Sequence, residues 1–138
     1  MKTKRIPLPQ AAISELEQLY ATLPKIACKQ KCQAFCGLIE MTSLEYQRII
    51  NRTGRELTYI VDLTCPCLDK KSGLCKVHDI RPAICRIFGL AEDFKCPHGC
   101  VPDRWLTHDE AMAFFKKVQA VSEKTGVRVA SGWRLGYK

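Results

Sequence analysis

Nine cysteines are the residues of this sequence best suited to carry chemistry. A chain of 138 residues can bury a core without disulfides. Its start is positively charged but has no apolar segment behind it, so we expect a cytoplasmic protein whose thiols stay reduced. Reduced cysteines at this density indicate metal ligands before disulfides or thiol catalysis. Along the chain they are Cys28, Cys32, Cys36, Cys65, Cys67, Cys75, Cys85, Cys96 and Cys100.

Spacing limits which of these cysteines can share one zinc ion. Two sulfurs on a tetrahedral zinc lie a little under about 4 Å apart, whereas Cys28 and Cys36 would be roughly 12 Å apart along a straight helix. Either this segment bends, or its cysteines divide between centres, or they bind a larger iron–sulfur cluster. Cys65 and Cys67 would be about 6.6 Å apart in a strand. They could share a zinc only if Pro66 makes a turn.

Four other side chains among the cysteines are candidates for a role at a metal site. His78 and His98 could ligate a metal or donate hydrogen bonds to its ligands, although ordinary structural roles explain them equally well. Arg81 and Arg86 flank Cys85 in the sequence. They would either offset thiolate charge or cap and solvate a short helix.

Three segments with helical spacing of apolar residues should frame the cysteine-rich middle. The first covers residues 10–23 and is stopped by a proline. The second begins with a capping box at Thr42 and ends at Gly54, the position of a C-terminal cap. The third begins with a capping box at Thr107 and ends before Gly126.

The middle should hold little regular structure. Residues 57–63 are β-branched and aromatic enough for a strand, and residues 69–73 resemble the turn of a short hairpin. After Gly126 we expect an extended tail whose Trp133 docks on the body. The prediction is one small, helix-rich α+β domain with a metal-stabilised centre. Its parts are an N-terminal helix region (1–27), a cysteine-cluster core (28–100), a C-terminal helix (101–126) and a tail (127–138).

Charge and composition exclude some classes of function. The formal net charge is +8 with neutral thiols, and two zinc ions on eight thiolates would lower it to about +4. The basic residues are scattered, which weakens a nucleic-acid interpretation, although Arg48, Arg52 and Arg55 on the exposed side of the second helix would be its contacts. No segment could cross a membrane. A redox enzyme component is a third interpretation, but nothing supplies a substrate pocket, an acid/base pair or a nucleotide loop, so we favour a chain that is not an enzyme by itself.

The middle of the chain also resembles a known family. The sequences Cys65-Pro-Cys-Leu, Gly73-Leu-Cys75, Arg81-Pro82 and Cys85-Arg86 occur in the order typical of the bacterial cysteine-cluster family of YkgJ type. The first three cysteines, followed by a capped helix, are similar in order to the first half of that family. The resemblance implies a domain that chelates zinc or iron. Cys67 matches an apolar position of the family pattern, which makes it the spare ninth thiol.

The sequence thus predicts a metal-chelating cysteine-cluster protein that serves as an electron-transfer, sensor or accessory module. The alternative is a zinc-stabilised module that binds nucleic acid or another protein. Cysteine-only sites suit zinc and iron–sulfur clusters alike, and the Cys-Pro pairs at Cys65 and Cys96 favour iron–sulfur slightly. The predicted ligands of one or two centres are Cys28, Cys32, Cys36, Cys65, Cys75, Cys85, Cys96 and Cys100.

Overall fold

The computed structural model describes residues 5–27, 41–54, 67–69 and 71–128. The predicted strand over residues 57–63 and the docking of Trp133 lie outside these residues. The described part holds four helices and one antiparallel hairpin, which is consistent with the predicted helix-rich α+β class. In chain order the elements are α1 (Gln10–Ala21), α2 (Ser43–Thr53), β1 (Leu68–Asp69), β2 (Leu74–Cys75), a 3-10 turn (His78–Ile80), α3 (Ala83–Ile87) and α4 (His108–Thr125).

Helices α2 and α4 begin and end where local signals place them. The hydroxyl oxygens of Thr42 and Thr107 each accept a hydrogen bond of 3.2 Å from the backbone N–H three residues later. Both capping boxes are complete. Gly54 and Gly126 close the two helices with φ of 74° and 70°, the left-handed conformation that glycine adopts without strain. The predicted bounds of both helices are confirmed.

Helix α1 ends two residues before its predicted end. The N–H groups of Thr22 and Leu23 bind carbonyls three residues back, at 3.0 Å and 3.2 Å, so the chain tightens before Pro24. Leu16 and Tyr20 are the buried residues of this helix.

The apolar side chains form two clusters. The larger cluster joins α1, α3 and α4 with Leu44 of α2. The second cluster lies between α2 and the segment that contains the hairpin and the 3-10 turn; we call it the hairpin cluster, and it consists of Met41, Tyr46, Ile49, Ile50, Cys67, Val77 and Ile80. Because α2 contributes to both, it connects the helical body to the cysteine-rich middle.

The hairpin has the turn that its sequence predicts. Leu68 pairs with Cys75, and Asp69 pairs with Leu74. Gly73, with φ of 73°, donates its N–H to the Asp69 carbonyl at 2.7 Å. Among the described helices, none is long and apolar enough to cross a membrane.

Candidate metal centre

Five of the nine cysteines belong to the described residues. Cys67 and Cys100 are buried, whereas Cys75, Cys85 and Cys96 are partly exposed. Four predicted ligands, Cys28, Cys32, Cys36 and Cys65, lie outside the described residues. Within the described ranges, no three Cys, His, Asp or Glu side chains lie close enough together to hold a metal ion. The described thiols therefore do not complete a metal site by themselves.

Cys96 lies against the turn that follows α3. Gly89, two residues after the end of α3, has φ of 91° and donates its N–H to the Phe94 carbonyl at 2.6 Å. A Cβ atom built at Gly89 would lie 3.7 Å from the Cβ of Cys96. Cys85 precedes Gly89 by four residues on the same short segment. The fold thus brings Cys96 next to the segment that carries Cys85.

A third segment reaches the same place. Ile26 and Pro102 form an antiparallel bridge, and the Ile26 Cδ1 atom lies 3.5 Å from the Cβ position at Gly89. In the sequence, Cys28 follows Ile26 by two residues and Cys100 precedes Pro102 by two. Three stretches of chain that bear or border candidate ligands therefore meet at Gly89, and we call this meeting point the Gly89 junction.

The loop between Cys96 and Cys100 directs a backbone donor at a sulfur. The His98 N–H donates to the Cys96 Sγ atom over 3.4 Å, and the Gly99 N–H donates to the Cys96 carbonyl over 3.3 Å. An N–H group that donates to sulfur stabilises its thiolate form. The His98 side chain is exposed, and its backbone N–H is the group that contacts Cys96.

His78 is held by Arg81. The Arg81 Nη1 atom donates to the His78 carbonyl at 2.8 Å and lies 3.1 Å from the His78 Nδ1 atom. Burial, and then the charges of Arg81 and Arg86, lower the pKa of His78 below its usual value. These surroundings favour the neutral imidazole, which is the form that ligates metal.

Arg86 is engaged with the backbone and with an aromatic ring. Its Nε and Nη2 atoms donate to the carbonyls of Arg81 and Asp79 at 2.8 Å and 2.9 Å. Its guanidinium carbon lies 3.8 Å from the centre of the Tyr20 ring, a cation–π distance. These contacts hold Arg86 against α1 and the segment before α3, and its predicted role beside a thiolate stays a prediction.

Cys67 belongs to the hairpin cluster. Its side chain is 5% exposed among apolar residues, and Cys75 packs against the same cluster. The Lys76 N–H donates to the Cys67 carbonyl at 2.8 Å. A thiol in such surroundings behaves as a small apolar side chain. That Cys67 is the spare thiol stays a prediction from the family resemblance.

The predicted exposure of the basic residues on α2 is wrong for Arg48. Its side chain is 19% exposed and forms an ion pair with Glu17 of α1. Arg52 is exposed, and its two terminal nitrogens bind the Asp79 carboxylate at 3.1 Å and 3.0 Å. Arg55 lies outside the described residues. Pairing across elements explains the difference, because charge counting along one helix cannot reveal partners on another.

The thiol groups of the proposed cysteine ligands suit a soft or borderline metal. Thiolates bind zinc and iron–sulfur clusters. Near the Gly89 junction, Cys85 and Cys96 are partly exposed, Cys100 is buried, and Cys96 accepts a backbone hydrogen bond.

The sequence indicates for Glu45 only a place in a capping box. The structure buries it and directs one of its oxygens at the first N–H of α3, a contact that local sequence does not signal.

A protein-family model matches most of the chain. The family model CxxCxxCC, described as "Putative zinc- or iron-chelating domain", matches residues 27–123, a span that contains all nine cysteines. No curated protein and no solved structure matches the chain. The match supports chelation of zinc or iron and confirms the resemblance seen in the sequence. Because the model covers well over half of the 138 residues, the chain belongs to the CxxCxxCC family.

Proposed function

We propose that this protein chelates zinc or iron through its cysteines and acts as an electron-transfer, sensor or accessory module. The observation that carries the proposal is the Gly89 junction, where a Cβ atom at Gly89 would lie 3.7 Å from the Cβ of Cys96. Residues distant in sequence converge there, just after the five-residue α3 and beside an isolated bridge. Such convergence is typical of a site whose metal contributes folding energy.

The proposed ligands are the eight cysteines other than Cys67, arranged in one or two centres. Cys85, Cys96 and Cys100 are the members whose chain segments meet at or next to the Gly89 junction. When bound, zinc would supply folding energy, and an iron–sulfur cluster would supply one-electron redox chemistry. The residues of this chain would hold the metal, exclude water on the buried side and donate the His98 N–H to Cys96.

Of the two kinds of centre, we slightly favour an iron–sulfur cluster over zinc. Hydrogen bonds to sulfur are among the features that set cluster potentials, and the His98 N–H makes one of 3.4 Å to Cys96. The same bond would also orient a zinc thiolate. Reduced thiols suit the cytoplasm, which we propose as the location.

The test is the metal content and optical spectrum of protein purified without oxygen. An iron–sulfur protein would contain iron and acid-labile sulfide and absorb visible light, whereas a zinc protein would be colourless and contain stoichiometric zinc. Protein that holds neither metal, and takes up neither on reconstitution, would contradict the proposal.

The alternative of a nucleic-acid-binding module gains no support from α2, since Arg48 and Arg52 are in ion pairs.

A further inference from the structure

The structure assigns a positioning role to Glu45: its carboxylate caps α3 from a distance and so fixes Cys85 where it can ligate metal. This inference rests on the proposed function, because it takes Cys85 to be a ligand. It goes beyond that function by naming a residue whose hydrogen bonds within the described part of the chain are to Thr42, Tyr20 and Ala83 and not to a proposed ligand side chain.

The Glu45 carboxylate connects three elements. Only 2% of the residue is exposed. One oxygen, Oε1, accepts from the Thr42 backbone N–H at 3.1 Å and from its hydroxyl at 2.9 Å. The other oxygen, Oε2, accepts from the Tyr20 hydroxyl at 2.6 Å and from the Ala83 N–H at 2.5 Å. The N-terminus of α2, the end of α1 and the start of α3 are thus joined at one buried carboxylate.

Helix α3 depends on a cap that it does not contain. It has only five residues, and Pro82 at its N-cap position makes no side-chain cap hydrogen bond. Isolated helices of that length are not stable in water, so tertiary contacts must hold it. The first residue of α3, Ala83, donates its N–H to the Glu45 carboxylate, 38 residues away in the sequence. Cys85 lies in this same first turn and donates its N–H to the Pro82 carbonyl at 3.0 Å.

The same helix is tied to α1 on the other side of Cys85. Arg86 of α3 stacks on the Tyr20 ring at 3.8 Å, and the Tyr20 hydroxyl donates to Glu45. Burial, followed by the negative charge of Glu45, raises the pKa of Tyr20 well above its usual value. Tyr20 therefore stays a neutral donor at physiological pH. These contacts fix Ala83 and Arg86 to α1 and α2. The two residues lie on either side of Cys85 in the sequence.

The experiment compares Glu45→Gln with Thr42→Ala by competition titration with zinc and a chelator of known affinity. Both proteins are measured at low temperature, and circular dichroism checks that each is folded. Glutamine has one acceptor oxygen, so its amide nitrogen would meet either the Ala83 N–H or the Thr42 N–H. Thr42→Ala weakens the capping box but leaves both bonds of Oε2. We expect Glu45→Gln to weaken zinc binding by about tenfold, the lower end for residues that orient ligands, and Thr42→Ala to leave it within about twofold.

A double-mutant cycle separates this inference from the proposed function. In a Cys85→Ser background, Glu45→Gln should cause no further loss of zinc affinity, because the ligand that it positions is absent. If Cys85→Ser alone keeps the original affinity, Cys85 is not a ligand, and both the ligand assignment and the inference are overturned. Two results overturn the inference alone. In the first, Cys85→Ser weakens zinc binding but Glu45→Gln does not. In the second, Glu45→Gln still lowers the zinc affinity in the Cys85→Ser background.

A milder variant covers the case in which Glu45→Gln does not fold. Tyr20→Phe removes one of the two donors to Oε2 and leaves the Ala83 bond. It should weaken zinc binding less than Glu45→Gln would, in the same direction. Tyr20→Phe protein with unchanged zinc affinity would overturn the inference.

Discussion

Cys67 and Cys85 differ in what surrounds their side chains. Cys67 is buried among the apolar residues of the hairpin cluster, whereas Cys85 is partly exposed in the first turn of α3. The family resemblance makes Cys67 the spare thiol and Cys85 a ligand, and Cys85 lies on a segment that reaches the Gly89 junction. Replacing each of the two cysteines by serine therefore tests which of them binds the metal.

Cys67→Ser should leave the metal stoichiometry intact, and Cys85→Ser should reduce it. The first change places a hydroxyl in an apolar cluster and should cost roughly 1–3 kcal/mol of stability without touching the metal. The second removes a ligand and, with it, part of the folding energy that the metal supplies. Metal analysis and thermal melts of both variants decide the matter. Equal metal loss in the two would mean that Cys67 is a ligand and that the assignment of eight cysteines is wrong.

Tyr20 should make the protein sensitive to alkaline pH. Its pKa is raised in the folded state, while in the unfolded chain the pKa of a tyrosine is about 10. Below that pH both states keep the proton, so the stabilisation is complete. Above it only the unfolded chain releases the proton, and stability should fall by about 1.4 kcal/mol for each pH unit. Urea unfolding at pH 9 and 11 should show this loss in the parent protein but not in Tyr20→Phe, and an equal loss in both would refute the assignment.

At the scale of elements, the local features of the fold could be predicted from the sequence, whereas the contacts between distant segments could not. The capping boxes at Thr42 and Thr107, and the turn closed by Gly73, follow from residues within a few positions of one another. The bond between Glu45 and Ala83 spans 38 residues. The Gly89 junction joins segments more than 60 residues apart. Such contacts depend on how helices pack, which spacing and capping patterns do not encode.

The two capping boxes should respond differently to the same substitution. Thr107→Ala removes an exposed cap and should destabilise the protein by about 1 kcal/mol. Thr42→Ala should cost at least about twice as much, because the Thr42 hydroxyl also donates to the buried Glu45 carboxylate at 2.9 Å. Urea unfolding of both variants measures the difference. Equal losses would show that the buried bond adds nothing to stability.

At the scale of the whole molecule, the described residues divide into a helical body and a segment that forms only small elements. Helices α1 and α4 pack together in the larger apolar cluster, to which the short α3 contributes Ala83 and Ile87. Between residues 67 and 100, regular structure in the described part is limited to a hairpin of two-residue strands, a 3-10 turn and the five-residue α3. Metal is the proposed source of the missing stability.

Removal of the metal with a chelator should therefore unfold the middle first. Hydrogen exchange should accelerate between residues 67 and 100, while α1 and α4 remain protected by their mutual packing. The melting temperature should fall, and added metal should restore it. A metal-free protein with an unchanged cooperative melt would refute the proposal that metal stabilises this region.

The most direct test of metal chelation by cysteines is X-ray absorption at the edge of the metal that copurifies without oxygen. The account predicts a first shell of sulfur atoms only, at about 2.3 Å if the metal is zinc, with additional iron neighbours if it is an iron–sulfur cluster. A first shell dominated by oxygen or nitrogen would contradict it.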